Sequence, residues 1–400
     1  MTPVRDAIVV GGGPAGLTAA VALASAGIDT ALIARPSQQT DHRTTALLEG
    51  SVLALEALGV WSRCREQAAP LRKIRIVDDT ARLLRGPEIC FDAAEIGLAA
   101  FGYNIENRVL LAALEARARE LPALTFVADA AAEVASAEDR VDVRLAAGSS
   151  LAARLVVGAD GRNSLCRAAA GIGMRGKQYP QAALALNLHH DRDHADTSTE
   201  FHTERGPFTL VPLPGRSSSL VLVAAPAEVS YLAALGDAYL GDEIERRAHS
   251  MLGRIAAEPG RSMFPLAVET ADRLAARRIA LVGEAAHVIP PIGAQGLNLG
   301  LRDAATIAEL AADARDAGHD IGGETLTARY EYVRRADVTS RTVAVDVLNR
   351  SLLSDFLPLQ AARGAGLLLM QRLAPLRRAL MREGVMPAAS QPRLMRGEAL

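Results

Sequence analysis

The run Gly11-Gly12-Gly13-Pro14-Ala15-Gly16 constrains this chain more than any other feature. It lies between a short apolar stretch, Asp6 to Val10, and a small-residue helical stretch, Leu17 to Ala26, that Gly27 ends. This is GxGxxG in the one context where its spacing has physical meaning: missing side chains let backbone N–H groups at a helix N-terminus meet a pyrophosphate. Thr30 to Ala34 then reads as a second buried strand, so strand, glycine turn, helix and strand together open a nucleotide-binding α/β domain. The same turn without a ligand would serve only close helix packing, and position is what favours the nucleotide. An acidic residue ordinarily ends the second strand to hold the adenosine ribose, but this chain has Ala34 there. Either Arg35 stacks or pairs instead, or the ribose is held less tightly.

Later runs extend the pattern. Arg154 to Val157 and Ile279 to Val282 each lead an apolar strand into glycine and a carboxylate, and are predicted to share the first sheet. Between them, Ala182 to Leu188, Glu200 to His202, Phe208 to Pro212 and Leu220 to Ala224 read as strands, with few helical signals until about Tyr231. A mostly β lobe therefore interrupts the first. The boundaries predicted are 1–75, 101–175 and 270–345 for the α/β domain, 76–100 and 176–269 for the β-rich domain, and 346–400 for a helical C-terminal segment. With half its 400 residues apolar, the chain can bury more than one such lobe. Forty-four basic residues against 46 acidic ones leave a net charge of −2, so no global field gathers nucleic acid. Cys64, Cys90 and Cys166 show no CxxC spacing, which argues against a disulfide framework or a zinc site and suits a reducing cytosol. No signal-peptide core is visible, and no apolar run approaches the roughly 18 residues of a spanning helix.

Two further elements carry chemistry. Gly158-Ala159-Asp160-Gly161-Arg162-Asn163-Ser164 follows a strand and could equally be a tight turn with a helix cap. More specific is Gly283-Glu284-Ala285-Ala286-His287, followed by Pro290-Pro291-Ile292-Gly293-Ala294-Gln295-Gly296-Leu297-Asn298-Leu299-Gly300-Leu301-Arg302-Asp303. A carboxylate after a strand can accept ribose hydroxyls, and a Gly/Pro loop opening a long helix brings N–H groups and a positive dipole against an electron-rich ring. His287 could relay a proton, but the reading preferred is a residue that satisfies loop carbonyls. His189, His190, His194 and His202 lack ligand spacing and read as solvated loop, so no metal is expected.

Glycine turn, DG element and late carboxylate loop, in this order, resemble the FAD-dependent aromatic hydroxylases of the para-hydroxybenzoate hydroxylase type, and within them the UbiH/UbiF-type hydroxylases of ubiquinone biosynthesis. The resemblance covers nearly the whole chain and includes Asp41-His42-Arg43-Thr44-Thr45-Ala46-Leu47, Gly102 to Leu110, Gly206 to Leu213 and the Pro290 to Asn298 loop. The family has Asp where this chain has Glu284. The resemblance implies a Rossmann-like FAD domain interrupted by a β-sheet substrate domain. FAD would be bound by Gly11, Gly13, Pro14, Ala15 and Gly16 at the pyrophosphate, with Arg35, Arg43 and Arg108 near it and Asp160, Gly283 and Glu284 near its phosphate and ribityl portion. Pro291, Gly293, Gln295, Gly296, Leu297 and Asn298 would lie beside the isoalloxazine. It also implies reduction by NAD(P)H, which binds without a second Rossmann domain, then reaction with dioxygen and hydroxylation of a polyprenyl phenol through a flavin 4a-hydroperoxide.

The stretch Phe356 to Arg382 combines ten Leu and Met residues with Arg363, Arg372, Arg377, Arg378 and Arg382 and has no acidic residue. Such a segment either lies in a membrane interface or packs on the protein's own core, and periodicity does not choose between them. A polyprenyl substrate favours peripheral contact through 356–382 on the inner face of the cytoplasmic membrane. Three competitors stand beside this reading: a soluble aromatic substrate, a weakly FAD-binding subunit of a quinone-synthesis complex, and a flavin-dependent reductase of prenyl chains.

Overall fold

The computed structural model describes residues 3–35, 41–81, 85–353, 357–385 and 391–400, and for 352–353 and 357–363 the backbone alone. Val4–Val10 pairs in parallel with Thr30–Ile33 on one side and Ser150–Gly158 on the other. Leu124–Val127 and Ile279–Leu281 continue the sheet outwards. The Arg154 to Val157 and Ile279 to Val282 runs thus share one sheet with the first strand. Parallel strands connected by helices are covered on both faces, which is why these segments are almost unbroken apolar sequence. The helix Pro14–Ser25 is buried from Gly16 to Ala24. Its alanines and glycine let it sit between the sheet and the long helix Gln295–Asp316.

A nine-stranded sheet forms the second lobe. At its centre Met174–His190 lies antiparallel between Ser217–Ala224 and Ser262–Ala271, and Gly206–Leu213, Thr197–Thr203, Lys73–Asp78 and Ile89–Asp92 follow outwards. The lobe therefore takes up the chain at Lys73 and Met174, a few residues before 76 and 176, and runs through Ala271. Pairing partners fix these ends, and local sequence does not reveal them. A two-residue strand, His287–Val288, also pairs with Glu269 and Thr270, which stitches the first lobe's late loop to the second sheet.

Alternation divides the second sheet's faces. Leu184, Leu186, Leu188, Leu220 and Leu222 pack under the helices Pro226–Ala234 and Asp237–Arg247. The opposite face docks on a small sheet made by Thr44–Leu48, Ala69–Pro70 and Gly102–Glu106. There Thr44 Oγ1 donates to Ser219 Oγ at 2.8 Å, and Asn104 Nδ2 donates to the Pro212 carbonyl at 2.9 Å.

Two of the four histidines read as solvated loop, His190 and His202, are instead buried, and a third, His194, is half-buried. His202 lies inside a strand with Nε2 donating to Glu200 at 2.8 Å, His190 bonds Ser218 Oγ and the Arg192 carbonyl, and His194 donates to the Leu213 carbonyl. Their polar neighbours in sequence concealed strands that sheet pairing supplies. The C-terminal segment forms the helices Glu324–Leu353, Leu357–Arg372 and Ala374–Val385. Phe356 and the side chains of Leu357, Leu359 and Arg363 lie outside the described residues.

Candidate functional site

The four glycines of the first turn have different tasks. Gly11 has φ +118°, and a Cβ there would lie 2.1 Å from the Ala159 carbonyl oxygen; one on Gly16 would lie 2.1 Å from the Gly11 oxygen. Strand, helix and the Gly158-Ala159 end of the neighbouring strand thus meet through bare backbone. A Cβ on Gly12 would lie 2.6 Å from the Cβ of buried Ala34, so position 12 is bare for a packing reason. Gly13 has no atom within 4 Å of its Cβ position. It N-caps the helix Pro14–Ser25, which has no side-chain cap. Open space before uncapped N–H groups is what an anion needs at a helix N-terminus. Pro14 and Ala15 form the first turn behind that opening, and Arg35 is exposed at the end of its strand.

A second uncapped N-terminus belongs to Gln295–Asp316. Ala294 caps it in the left-handed region (φ 54°), preceded by Gly293 at φ +65°, and the Cβ positions of Gly293 and Gly296 meet open space. Gln295 donates from Nε2 to the Gly293 carbonyl at 3.0 Å, while its Oε1 is buried with no partner. Asn298 sets the direction of the helix. Its Oδ1 accepts from Leu48 N (2.8 Å) and Ser51 Oγ (2.7 Å), and its Nδ2 donates to the carbonyls of Ala46 (2.8 Å) and Ala294 (2.6 Å). These bonds use the whole capacity of the amide and tie the Thr44–Leu48 strand to the loop. Pro291 is exposed and Leu297 half-buried beside them.

Between the two helix ends lies the Gly283-Glu284 turn. Gly283 is left-handed (φ +63°) and its Cβ position is 3.3 Å from Ala15 Cβ; that of Gly300 is 3.2 Å from Gly283 Cα. The first helix, the carboxylate turn and the long helix therefore converge. Glu284 is exposed, and its charge helps to raise the guanidinium pKa of both Arg43 and Arg162. The larger cause in each case is a forked hydrogen bond, from Arg43 to Asp41 at 2.8 Å and from Arg162 to Glu269 at 2.9 Å. Asp41 and Arg162 were not among the predicted site residues, since their placement depends on partners far away in sequence. Arg108 is not brought to Glu284: it is exposed and forked onto Glu106 at 2.6 and 2.9 Å. Asp160 accepts from Ser164 Oγ (2.5 Å) and Cys166 N (3.1 Å) and so braces Ser164, the N-cap of the short helix Leu165–Ala169.

His287 is 2% exposed and donates from Nε2 to Asp303 Oδ2 at 2.6 Å. Its partner is thus a carboxylate on the long helix and not a loop carbonyl. Asp303 also accepts from Gly283 N at 3.1 Å and from Arg334 Nε at 2.7 Å. Only the Arg302-Asp303 pair at the end of the glycine-rich run could have signalled this network from sequence.

The donor set fits FAD. Two uncapped helix N-termini suit the pyrophosphate and the electron-rich end of the ring, Glu284 suits ribose or ribityl hydroxyls, and the buried unpartnered Oε1 of Gln295 lies at the ring-side loop.

Comparison with known proteins agrees. A family model described as FAD binding domain matches residues 5–343. The chain is 36% identical to the ubiquinone hydroxylase UbiL of Rhodospirillum rubrum over 99% of its own length and 94% of that protein. It is 32% identical to the 3-demethoxyubiquinol 3-hydroxylase of Escherichia coli K12, over 92% of its own length and 95% of that protein. In fold it is similar to the p-nitrophenol 4-monooxygenase PnpA of Pseudomonas putida DLL-E4, with a TM-score of 0.79 at 20% identity, covering 96% of this chain and 98% of that one.

Proposed function

The chain belongs to the FAD binding domain family, and from that premise we propose that it hydroxylates the aromatic ring of a polyprenyl phenol in ubiquinone biosynthesis. It is an FAD-dependent aromatic hydroxylase. Bound FAD supplies the redox chemistry, taking electrons from NAD(P)H and activating dioxygen. The chain's own residues bind and orient. Gly13 leaves room for the pyrophosphate at a helix N-terminus, Glu284 accepts hydroxyls, and the N–H groups at the start of Gln295–Asp316 favour negative charge at the adjacent ring. Asn298 holds that helix end against the Thr44–Leu48 strand.

The observation that carries the substrate reading is the second sheet's face toward this strand. Around Ser219, which Thr44 contacts, that face presents Ala185, Asn187, Thr209, Val211 and Val221, none of them charged. A benzoate-type substrate needs a cation there, whereas a neutral ring carrying an apolar chain does not.

The prenyl chain also places the enzyme at a membrane surface, since moving such a lipid into water costs about 0.8 kcal/mol per methylene. No helix among the described residues is long and apolar enough to cross a membrane. Leu369, Leu373, Leu376 and Leu380 instead form an exposed stripe beside the exposed Arg372, Arg378 and Arg382, while Met381 and Val385 pack with Phe101 on the opposite side. The stripe supports peripheral contact with an anionic bilayer on the cytoplasmic side. Association with other quinone-synthesis proteins is compatible with the same surface.

The reading is tested by mass spectrometry of quinone-pathway lipids from a strain lacking the gene and its redundant hydroxylases. Accumulation of a prenyl phenol one ring oxygen short, reversed by the wild-type gene and not by Gly13→Asp, is the expected result. An unchanged lipid profile, with the purified flavoprotein oxidising NAD(P)H in the presence of a soluble phenol, would reject the prenyl substrate in favour of the soluble one.

A further inference from the structure

Behind the cofactor loop lies a buried ionic chain that the hydroxylation chemistry does not use. Asp303 is 1% exposed, and its two oxygens accept three hydrogen bonds, from Gly283 N, His287 Nε2 and Arg334 Nε. Arg334 continues to Asp337 Oδ2 at 2.7 Å, and Arg302 reaches the same carboxylate at 3.3 Å. Desolvation offsets most of the attraction in such a buried network, so its net contribution to stability is a poor reason for its presence. Its geometry is more specific. Asp303 sits one turn beyond Gly300, the point where the long helix touches Gly283 and Ala15. Through Gly283 N it grips the turn that carries Glu284, and through His287 it grips the short strand paired with the second sheet. Through Arg334 it is held by the helix Glu324–Leu353, whose buried Tyr330 also donates to the Leu281 carbonyl at 2.7 Å.

We propose that Asp303, oriented by Arg334 and His287, is a positioning residue for the flavin: it locks the Gly283-Glu284 turn against the helix Gln295–Asp316. That lock sets the spacing between the carboxylate that accepts FAD hydroxyls and the helix end that faces the ring. The proposal rests on the FAD assignment above. A polar carboxylate deep in the fold thus acts on the cofactor without touching it, by fixing the backbone that does.

The test compares wild type with His287→Leu, His287→Gln and His287→Asn. Readouts are the FAD dissociation constant, from flavin fluorescence during titration of apoprotein, and the midpoint potential of the bound flavin. Leu removes the donor to Asp303, Asn is too short to reach it, and Gln places an amide N–H near the position of Nε2. His287→Leu and His287→Asn should weaken FAD binding about tenfold or more and shift the flavin potential, while His287→Gln stays within about threefold of wild type. Folded His287→Leu or His287→Asn protein with wild-type affinity and potential would overturn the lock. Should His287→Leu not fold, Gln and Asn decide: equal affinity and potential in those two would overturn it as well. A wild-type chain that binds no FAD would refute the cofactor assignment itself, an outcome distinct from wild-type binding that the variants leave unchanged.

Discussion

Gly11 and Gly13 match the same motif but answer to different forces. Gly11 is fixed by its left-handed φ and by a Cβ position 2.1 Å from a carbonyl oxygen, whereas Gly13 faces open space. Gly11→Ala should therefore cost about 2 kcal/mol or more of folding stability, read as a lowered urea midpoint, whether or not FAD is present. Gly13→Asp should leave the apoprotein's urea midpoint nearly unchanged and abolish FAD retention, because a carboxylate then occupies the pyrophosphate's place. Normal flavin absorbance in purified Gly13→Asp protein would rule out Gly13 as the phosphate-approach residue. The motif was legible in the sequence, but this division of labour was not, since it depends on where Ala159 and Ala34 lie in space. Asp160 shows the same limit. Its Asp-Gly context allowed a cofactor role or a cap, and its contacts with Ser164 Oγ and Cys166 N, which depend on the fold of the following turn, brace a helix whose N-cap is Ser164.

Among the elements, the C-terminal helices show why periodicity left two readings open. Ala374–Val385 is apolar on two sides: Met381 and Val385 are buried against Phe101, while Leu373, Leu376 and Leu380 are exposed along the stripe. Arg377 is drawn into the fold by Glu95 at 2.9 Å, while Arg372, Arg378 and Arg382 remain exposed. Replacing Leu373, Leu376 and Leu380 together by Ser should leave the melting temperature nearly unchanged and release the protein from vesicles rich in anionic lipid. Undiminished vesicle binding by that triple variant would remove the stripe from the membrane reading. Met381→Ala, on the packed face, should instead cost about 2–5 kcal/mol and leave vesicle binding of the folded protein intact.

For the whole molecule, buried Asp303 and half-buried Asp337 beneath the cofactor loop and Glu243 on a helix of the second lobe titrate low in the folded state. Burial pushes the Asp303 and Asp337 carboxyls up, but Arg334 with His287 for the first, and Arg334 with Arg302 for the second, more than reverse this. Glu243 is held at about 2, chiefly by its hydrogen bond from Arg246. These carboxyls are depressed in the folded state, so the stability they contribute is fully present above the unfolded values near pH 4 and is lost as pH falls through the native ones. The urea midpoint should be level from about pH 7 to 5 and fall steeply below about pH 4. A midpoint that stays level to pH 3 would contradict this linkage. The sequence by itself determined the nucleotide-binding turn, the interruption of an α/β domain by a β-rich lobe, and the late carboxylate loop. Each of these is written in local spacing: glycines at fixed intervals, short apolar runs, and a helix start. Tertiary structure alone decided that Gly12 is bare because Ala34 lies against it, that Arg43 rather than Arg108 feels Glu284, that His190 and His202 are buried and His194 half-buried, and that His287 answers to Asp303. Those outcomes depend on pairs far apart in the chain, and one residue's identity does not specify which distant partner will desolvate it, pair with it or leave it in water.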